Sequence, residues 1–389
     1  MTPLSAVHGS AHGGRRLAGH RLLAWVGAWA LCVGLLSACA QVQQRHTDAV
    51  QRARLQLELA RTAETLDVSE TAGYALRVHA QGQLLFSKDA GLASSELTIP
   101  IDGKTIFELA SLSKPFTALA VMQLQERGLI TLHQSLLHYL PELPAALAPI
   151  TVHHLLSHQS GLPDVINQWP RSRLHELDFK ALMQQLIAQS RLDFEPGHQA
   201  AYSNSNYMLL AQLVEEVSGL TFSDYLKTHV FEPAGMTSSS VLRFSSDQVM
   251  QQALSYADGQ KIHGIDYALA GAISQKSSME DLERFIQALL DHRLVRAETL
   301  DLMLTPQSLF EDGKRYGYGW YIGQLGGWAA LSTTQPAAGA GHTGRLGAYR
   351  TALYFNRQQN FQFIMLSNGG ASTEKLLAEF LRLTREALE

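Results

Sequence analysis

The sequence predicts a mixed α/β protein of the α+β type, in which an antiparallel sheet is flanked by helices and carries an inserted all-helical subdomain. Three observations predict this class. Apolar and polar residues alternate from Tyr74 to Phe86, which indicates strands at the start of the globular part. Alternation returns between Tyr316 and Ser367. The intervening stretch, from Pro115 to about Gly235, instead repeats apolar residues at helical spacing.

The composition is that of an ordinary folded protein. Of its 389 residues, 46% are apolar and 17% charged, which excludes a disordered or collagen-like chain. The 31 basic and 35 acidic side chains give a formal net charge of -4. Because a protein that binds nucleic acid through its phosphates needs an excess of basic groups, we expect no nucleic-acid partner.

The N-terminal residues have the pattern of an export signal. Arg15, Arg16 and Arg21 precede an uncharged stretch, Leu22–Leu36, that is rich in Leu, Ala, Val and Trp. A helix needs about 20 apolar residues to span a bilayer, and this stretch is shorter. It ends in Leu36-Ser37-Ala38-Cys39, which resembles the lipobox of bacterial lipoproteins.

That resemblance implies cleavage before Cys39 and lipidation of its sulfur and new amino group. We therefore predict a signal peptide over 1–38 and attachment to the membrane through lipidated Cys39. Ala40 is not aspartate, which in this family implies an outer-membrane location facing the periplasm of a bacterial envelope. The alternative is an uncleaved N-terminal anchor. Cleavage removes Cys32, the other cysteine, and so excludes an internal disulfide and a cysteine metal site.

Caps and turn residues place the individual elements. Residues 39–73 are predicted as a spacer with a helix from Asp48 to Leu66, and Gln81-Gly82 as the turn of the first strand pair. The predicted helices are Ala118–Arg127 before Gly128, Tyr207–Val217 before Gly219, one opening at Thr221, Asp281–Leu290 with a capping box from Ser278, and 371–389. The predicted C-terminal strands are Tyr316–Gly323, Ala348–Phe355 and Phe361–Ser367.

A serine and a lysine share one face of a helix start. Pro115 is tolerated only in the first turn, so the helix begins near Ser111, and Lys114 lies three residues on. There the serine can act as a nucleophile and the lysine can relay its proton. The alternative is an ordinary capping serine beside an exposed lysine. Ser372–Lys375 repeats the Ser-x-x-Lys spacing, and we interpret it as a helix cap.

Two further triplets carry suitable chemistry. Tyr202-Ser203-Asn204 lies just before a predicted helix and offers a phenol and an amide. His342-Thr343-Gly344 precedes the strand that starts at Ala348, and its glycine would let a substrate backbone approach closely. Tyr354-Phe355-Asn356 repeats the Tyr-x-Asn spacing, and we interpret it as a strand end.

Taken together and in this order, the motifs resemble the serine β-lactamase and penicillin-binding protein superfamily. The similarity is to the branch of class C β-lactamases, D-alanyl-D-alanine carboxypeptidases and esterases. The residues that carry it are Phe107–Lys114, Thr151–Pro163, Tyr202–Asn204 and Gly341–Gly344. It implies a β-lactamase/transpeptidase-like hydrolase domain over 74–370, with a sheet part at about 74–126 and 267–389 and a helical part at about 127–266.

The resemblance also implies the roles of these residues. Ser111 would be the acylated nucleophile, Lys114 its activating neighbour and Tyr202 a proton shuttle. Asn204, His342, Thr343, Gly344 and Arg345 would bind the substrate. The backbone N–H groups of Ser111 and Arg345 would form the oxyanion hole. The reaction needs no metal and no organic cofactor, and the substrate would be a small ester, peptide or β-lactam.

His342 departs from the lysine that most β-lactamases carry at this position. An unperturbed histidine, with a pKa near 6.5, is mostly neutral at pH 7 and would gain charge as the pH falls to 6. Arg345 and Arg350 could restore some positive charge. The sequence therefore predicts that neutral esters are hydrolysed better than anionic β-lactams near neutral pH. It also predicts that the ratio of kcat/KM for an anionic β-lactam to that for a neutral ester rises as the pH falls from about 8 to 6.

Other readings fit less well. His154 and His158 have the spacing of a metal pair on a helix, but no Glu follows the first. Gly339, Gly341 and Gly344 spell a dinucleotide fingerprint, yet a strand follows instead of a helix. The chain contains no Gly-x-Ser-x-Gly elbow of an α/β-hydrolase. The remaining alternative is a catalytically weak protein that binds penicillin or peptidoglycan, or acts as a scaffold.

Overall fold

A computed structural model of the chain describes residues 49–64, 72–168, 179–188, 191–241, 251–257, 260–261, 269–323 and 339–370, together with 379 and 382–383. The predicted signal peptide, Cys39 and most of the predicted C-terminal helix lie outside the described residues. The chain divides into two compact units, Met1–Leu55 and Gln56–Glu389. A helix, α1, covers 49–64, where the sequence predicts one from 48 to 66. In the described part of the chain, no helix is both long and apolar enough to cross a membrane.

The second unit contains a nine-stranded antiparallel sheet, whose strands come from the N-terminal and the C-terminal parts of its sequence. Its strands follow the order β3-β2-β1-β14-β13-β12-β11-β10-β9. They are β1 (Gly73–Ala80), β2 (Gln83–Ser94), β3 (Ile99–Pro100), β9 (Ser308–Leu309), β10 (Arg315–Tyr316), β11 (Tyr321–Ile322), β12 (Gly339–Leu346), β13 (Tyr349–Asn356) and β14 (Phe361–Ser367). Because β1 pairs directly with β14, the first and last strands meet, with Tyr74 opposite Ser367.

The predicted first hairpin is observed. Gln81 and Gly82 form its two-residue loop with φ values of 53° and 73°. Positive φ at both loop positions is the geometry whose twist matches that of the two strands, and glycine adopts it without strain.

The predicted strand Tyr316–Gly323 is wrong, because the chain reverses within it. The segment forms two short strands, β10 and β11, and Gly317 N donates to Trp320 O between them. A Cβ at Gly317 would lie 2.1 Å from Met303 O, and Gly319 has a φ of 85°. The two glycines therefore make a tight turn that the aromatic alternation of the sequence hides.

Helices fill the middle of the chain. They are α2 (Lys114–Glu126), α3 (Val152–Leu156), α4 (Val165–Gln168), α5 (Phe179–Ala188), α6 (Asn204–Ser218), α7 (Phe222–Leu226), α8 (Glu232–Ala234), α9 (Met279–Leu290) and α10 (Ala297–Met303). Gly128 and Gly219 follow α2 and α6 with positive φ, as predicted. Thr221 and Ser278 cap α7 and α9 through their side chains, as predicted. The predicted capping box at Ser278 is only half formed, because the Asp281 carboxylate accepts from Ser238 N and Ser239 Oγ.

Helix α2 is the centre of the core. Its residues Lys114 to Leu124 are all buried, so no face of the helix is left to water. A small sheet of order β4-β8-β5 leads the chain into it. The strands are β4 (Ile106–Glu108), β5 (Ser240–Val241) and β8 (Gln275–Ser278). The predicted helical part also contains the two-residue strands β6 (Tyr256–Ala257) and β7 (Gln260–Lys261).

The loop after α3 depends on Gly161. This residue has a φ of 73°, and a Cβ added to it would lie 2.0 Å from Phe194 O. Gly128, after α2, has the same φ of 73° but has open space around the Cβ position. An alanine at either position would have the same backbone strain, but only an alanine at Gly161 would also overlap a neighbouring atom.

We expect Gly128→Ala to lower the free energy of unfolding by about 1 kcal/mol, the cost of a left-handed alanine. Gly161→Ala should lower it by about 3 kcal/mol, because overlap with a neighbouring carbonyl adds to the same strain. Urea unfolding at equilibrium measures both losses. Equal losses would contradict the close packing of this loop.

Candidate active site

Ser111 lies where a strand turns into the central helix. The chain passes from β4 through a 3-10 turn, Ala110–Ser113, and enters α2 at Lys114. Ala110 has a φ of 52°, a conformation that costs a residue with a Cβ about 1 kcal/mol or more. The Thr351 hydroxyl donates to Leu109 O at 2.7 Å and holds the turn against β13. The half-buried Ser111 is therefore fixed by its surroundings.

The Lys114 amine is buried beside this serine. Its Nζ donates to Asn204 Oδ1 at 2.8 Å and to Ala272 O at 3.1 Å, and it lies 3.4 Å from Ser111 Oγ. Both carbonyl oxygens can only accept, so they take two N–H groups. The third position of the nitrogen faces a hydroxyl, which can donate as well as accept. A neutral amine would therefore direct its lone pair at Ser111.

The protonation of Lys114 suits this arrangement. Burial lowers the pKa of its amine to about 7, against a weaker opposing effect of the Asp164 carboxylate. The amine therefore loses its proton far more readily near pH 7 than an ordinary lysine does.

Tyr202 completes the group around the amine. Its ring centroid lies 4.7 Å from Lys114 Nζ, and its ring stacks on that of His158 at 4.5 Å. Burial raises the pKa of the Tyr202 phenol well above its ordinary value, although contact with the Ser111 hydroxyl opposes this. The group is therefore a phenol near pH 7, and Lys114 is the better base of the two.

His158 supports the segment that carries Tyr202. Its Nδ1 accepts from Ser203 N at 3.2 Å and lies 3.0 Å from Asn206 Nδ2. Its carbonyl accepts from Ala201 N at 3.0 Å. The idea that His154 and His158 share a helix is wrong, because α3 ends at Leu156 and His158 has a φ of 59°. No group of three or more His, Cys, Asp or Glu among the described residues is arranged to hold a metal ion.

Asn204 connects the amine to a residue that sequence reasoning missed. Its Oδ1 accepts from Lys114, and its Nδ2 donates to Asp164 Oδ2 at 2.9 Å. Asp164 directly follows the Gly161-Leu162-Pro163 part of the recognised motif. The contact joins residues 40 apart, so only the fold reveals it.

His342, Thr343, Gly344 and Arg345 all lie on β12, which comes before the strand β13 and pairs with it. A Cβ at Gly344 would lie 2.2 Å from Leu109 O. The glycine is thus required where β12 packs on the turn before Ser111, which is a different reason from substrate approach. The three glycines of the apparent dinucleotide fingerprint lie within the same strand.

The expectation that His342 titrates near neutral pH is wrong. Its side chain is buried, with Nδ1 2.7 Å from Thr343 O and Nε2 3.2 Å from the Tyr316 hydroxyl. Burial and the nearby Lys114 lower its pKa to about 3. Arg350 is also buried and donates to Gly347 O and Tyr349 O, whereas Arg345 is exposed. His342 therefore supplies no charge to a substrate between pH 6 and 8.

Comparison with known proteins identifies the family of this chain. The family described as Beta-lactamase matches residues 59–386, so the chain belongs to that family. Penicillin-binding protein 4* of Bacillus subtilis is 29% identical over 317 residues, 75% of this chain and 67% of that protein. Esterase EstB of Burkholderia gladioli is 27% identical over 333 residues, 74% of this chain and 83% of that protein.

A solved structure of a known protein has a similar fold. The crystal structure of a penicillin-binding protein from Bacillus halodurans matches with a TM-score of 0.68 at 26% identity, over 85% of this chain and 99% of that one. The predicted β-lactamase-like fold, an antiparallel sheet flanked by helices, is confirmed. The family and its relatives support a serine hydrolase.

Proposed function

We propose that the protein hydrolyses neutral esters, or peptides ending in D-alanine, through an acyl-enzyme on Ser111. The observation that carries this proposal is the buried Lys114 amine, which two carbonyl oxygens orient and whose third position faces Ser111 Oγ. The relatives named penicillin-binding protein and esterase support the substrate class.

We infer the order of proton transfers from the contact between Lys114 and Ser111 and from the protonation states of Lys114 and Tyr202. Neutral Lys114 takes the Ser111 proton as Oγ attacks the substrate carbonyl. As the bond to the leaving group breaks, that group receives the Tyr202 proton, and the Lys114 ammonium reprotonates Tyr202. Water then attacks the acyl carbonyl and gives a proton to Lys114, and Lys114 passes that proton to Ser111 Oγ as the bond between Oγ and the acyl carbon breaks.

We place the developing oxyanion between the backbone N–H groups of Ser111 and Arg345. The packing of Gly344 on Leu109 supports this placement, because it brings β12 against the turn that carries Ser111. We assign the predicted substrate contacts to Asn204, His342 and Thr343, with no metal or cofactor taking part.

Ser111→Ala should abolish covalent labelling by a fluorophosphonate or a fluorescent penicillin, because it removes the nucleophile. Lys114→Ala and Tyr202→Phe should each slow acylation by about 10² or more. Ser372→Ala, in the second Ser-x-x-Lys sequence, is the matched control and should label normally. Gel fluorescence and intact mass measure the adduct. Labelling of the Ser111→Ala protein would overturn the mechanism, and a wild-type protein that binds penicillin without an adduct would favour the binding or scaffold alternative.

The neutral state of His342 gives a pH prediction. The ratio of kcat/KM for an anionic β-lactam to that for a neutral ester should stay constant between pH 6 and 8. Both substrates need the same form of Lys114, so its titration cancels in the ratio, and His342, with a pKa of about 3, contributes no charge. Steady-state kinetics with one substrate of each class measures the ratio. A ratio that rises as the pH falls would show that His342 becomes protonated in this range.

We also propose that the protein is anchored in the bacterial envelope by lipid on Cys39, in the outer membrane facing the periplasm. The lipobox-like sequence before Cys39 supports this location. Cys39→Ala should abolish labelling by a fatty-acid analogue and release the protein from the membrane fraction. A Cys39→Ala protein that stays membrane-bound would instead identify the uncleaved apolar stretch as the anchor.

A further inference from the structure

Hydrogen bonds from two consecutive residues of α6, Asn204 and Ser205, hold the loop that contains Asp164 against the start of that helix. Asn204 Nδ2 donates to Asp164 Oδ2 at 2.9 Å. The Ser205 hydroxyl donates to Pro163 O at 2.7 Å and accepts from Val165 N at 3.1 Å. Asp164 therefore has a fixed position against Asn204, and through it against Lys114.

We propose that Asp164 is a positioning residue for Lys114, because its carboxylate orients the Asn204 amide so that Oδ1 faces the amine beside Ser111. An amide has one donating and one accepting end, whereas an ionised carboxylate can only accept. Asp164 therefore selects Nδ2 of Asn204 and leaves Oδ1 for Lys114. This role rests on the proposed function, in which that amine is the base.

The charge of Asp164 acts on the same amine. Four other titratable side chains of the described residues face Lys114, namely Tyr202, Tyr207, His158 and His342. Burial raises the pKa of both phenols and lowers that of both imidazoles, so all four are neutral near pH 7. The carboxylate of Asp164 is thus the charge that favours the ammonium form of Lys114.

Asp164 also has a structural role that the test must separate. Its Oδ1 accepts from Ile166 N at 3.1 Å at the start of α4. Asn and Asp cap helices about equally well, so Asp164→Asn keeps this contact. The same variant removes the charge and presents an N–H where Asn204 Nδ2 needs an acceptor. Asn204 must then turn its amide or lose the contact, and Lys114 loses a fixed acceptor.

The direct test follows the Lys114 titration by NMR in the full chain with ¹³C-labelled lysine, assigned through Lys114→Arg. In Asp164→Asn the titration midpoint should fall by roughly half to one pH unit, because the ammonium loses both a charge and an acceptor. In the same variant kcat/KM for a neutral ester should fall about tenfold above pH 8, where Lys114 is neutral in both proteins. Glu142→Gln, an equal loss of charge at an exposed position, should change neither value.

The outcomes separate this role from the proposed function. An unchanged midpoint and an unchanged kcat/KM in a folded Asp164→Asn protein would overturn the positioning role while leaving the function intact. A lowered midpoint in a protein whose wild type forms no adduct would overturn the function and support the contact between Asp164, Asn204 and Lys114. If thermal unfolding shows that Asp164→Asn does not fold, Asp164→Ser keeps a capping oxygen and should give the same fall in midpoint. An unchanged midpoint in that variant would overturn the role.

Discussion

The burial of one lysine amine organises this molecule. Lys114 begins a helix that is buried on every side, and a charged ammonium in such a place is unfavourable unless oxygen atoms surround it. Asn204 Oδ1 and Ala272 O accept hydrogen bonds from this amine. Burial lowers its pKa to about 7, and the Asp164 carboxylate opposes that fall. The same burial that stabilises the core therefore prepares the base.

The neighbours of the amine follow from the same constraint. His158 and His342 are buried near a group that carries positive charge in part of the molecules, and both their pKa values fall. Both imidazoles are therefore neutral near pH 7 and carry no charge that could attract an anion.

Local signals predicted the parts of the structure that local chemistry determines. Pro115 placed the start of the central helix, Gln81-Gly82 the first hairpin, and Ser278 with Asp281 a cap. The spacing of Ser111 and Lys114 placed both on one face of a turn. The motifs, read in order, led to the family and the fold.

Other features of the site and fold depend on contacts between residues distant in sequence, so the motifs did not predict them. Asp164 meets Asn204 across 40 residues, and Asn204 meets Lys114 across 90. The pKa of His342 is lowered by burial and by Lys114, which is distant in sequence, so the pKa of an unperturbed histidine did not predict it. Gly344 must be glycine because a Cβ there would overlap Leu109 O, more than 200 residues earlier in the chain. The turn between β10 and β11 likewise needs Gly317 because a Cβ there would overlap Met303 O.

The pH dependence of acylation shows whether the Lys114 amine is the base. The rate constant for adduct formation with a neutral ester, measured in single turnovers, should rise with pH through one ionisation near 7 and then level off, because Lys114 must lose its proton before it can accept that of Ser111. A rate that is flat through pH 7 and rises only near pH 10 would exclude Lys114 with a lowered pKa as the base, since it would assign the step to an amine or phenol of ordinary pKa.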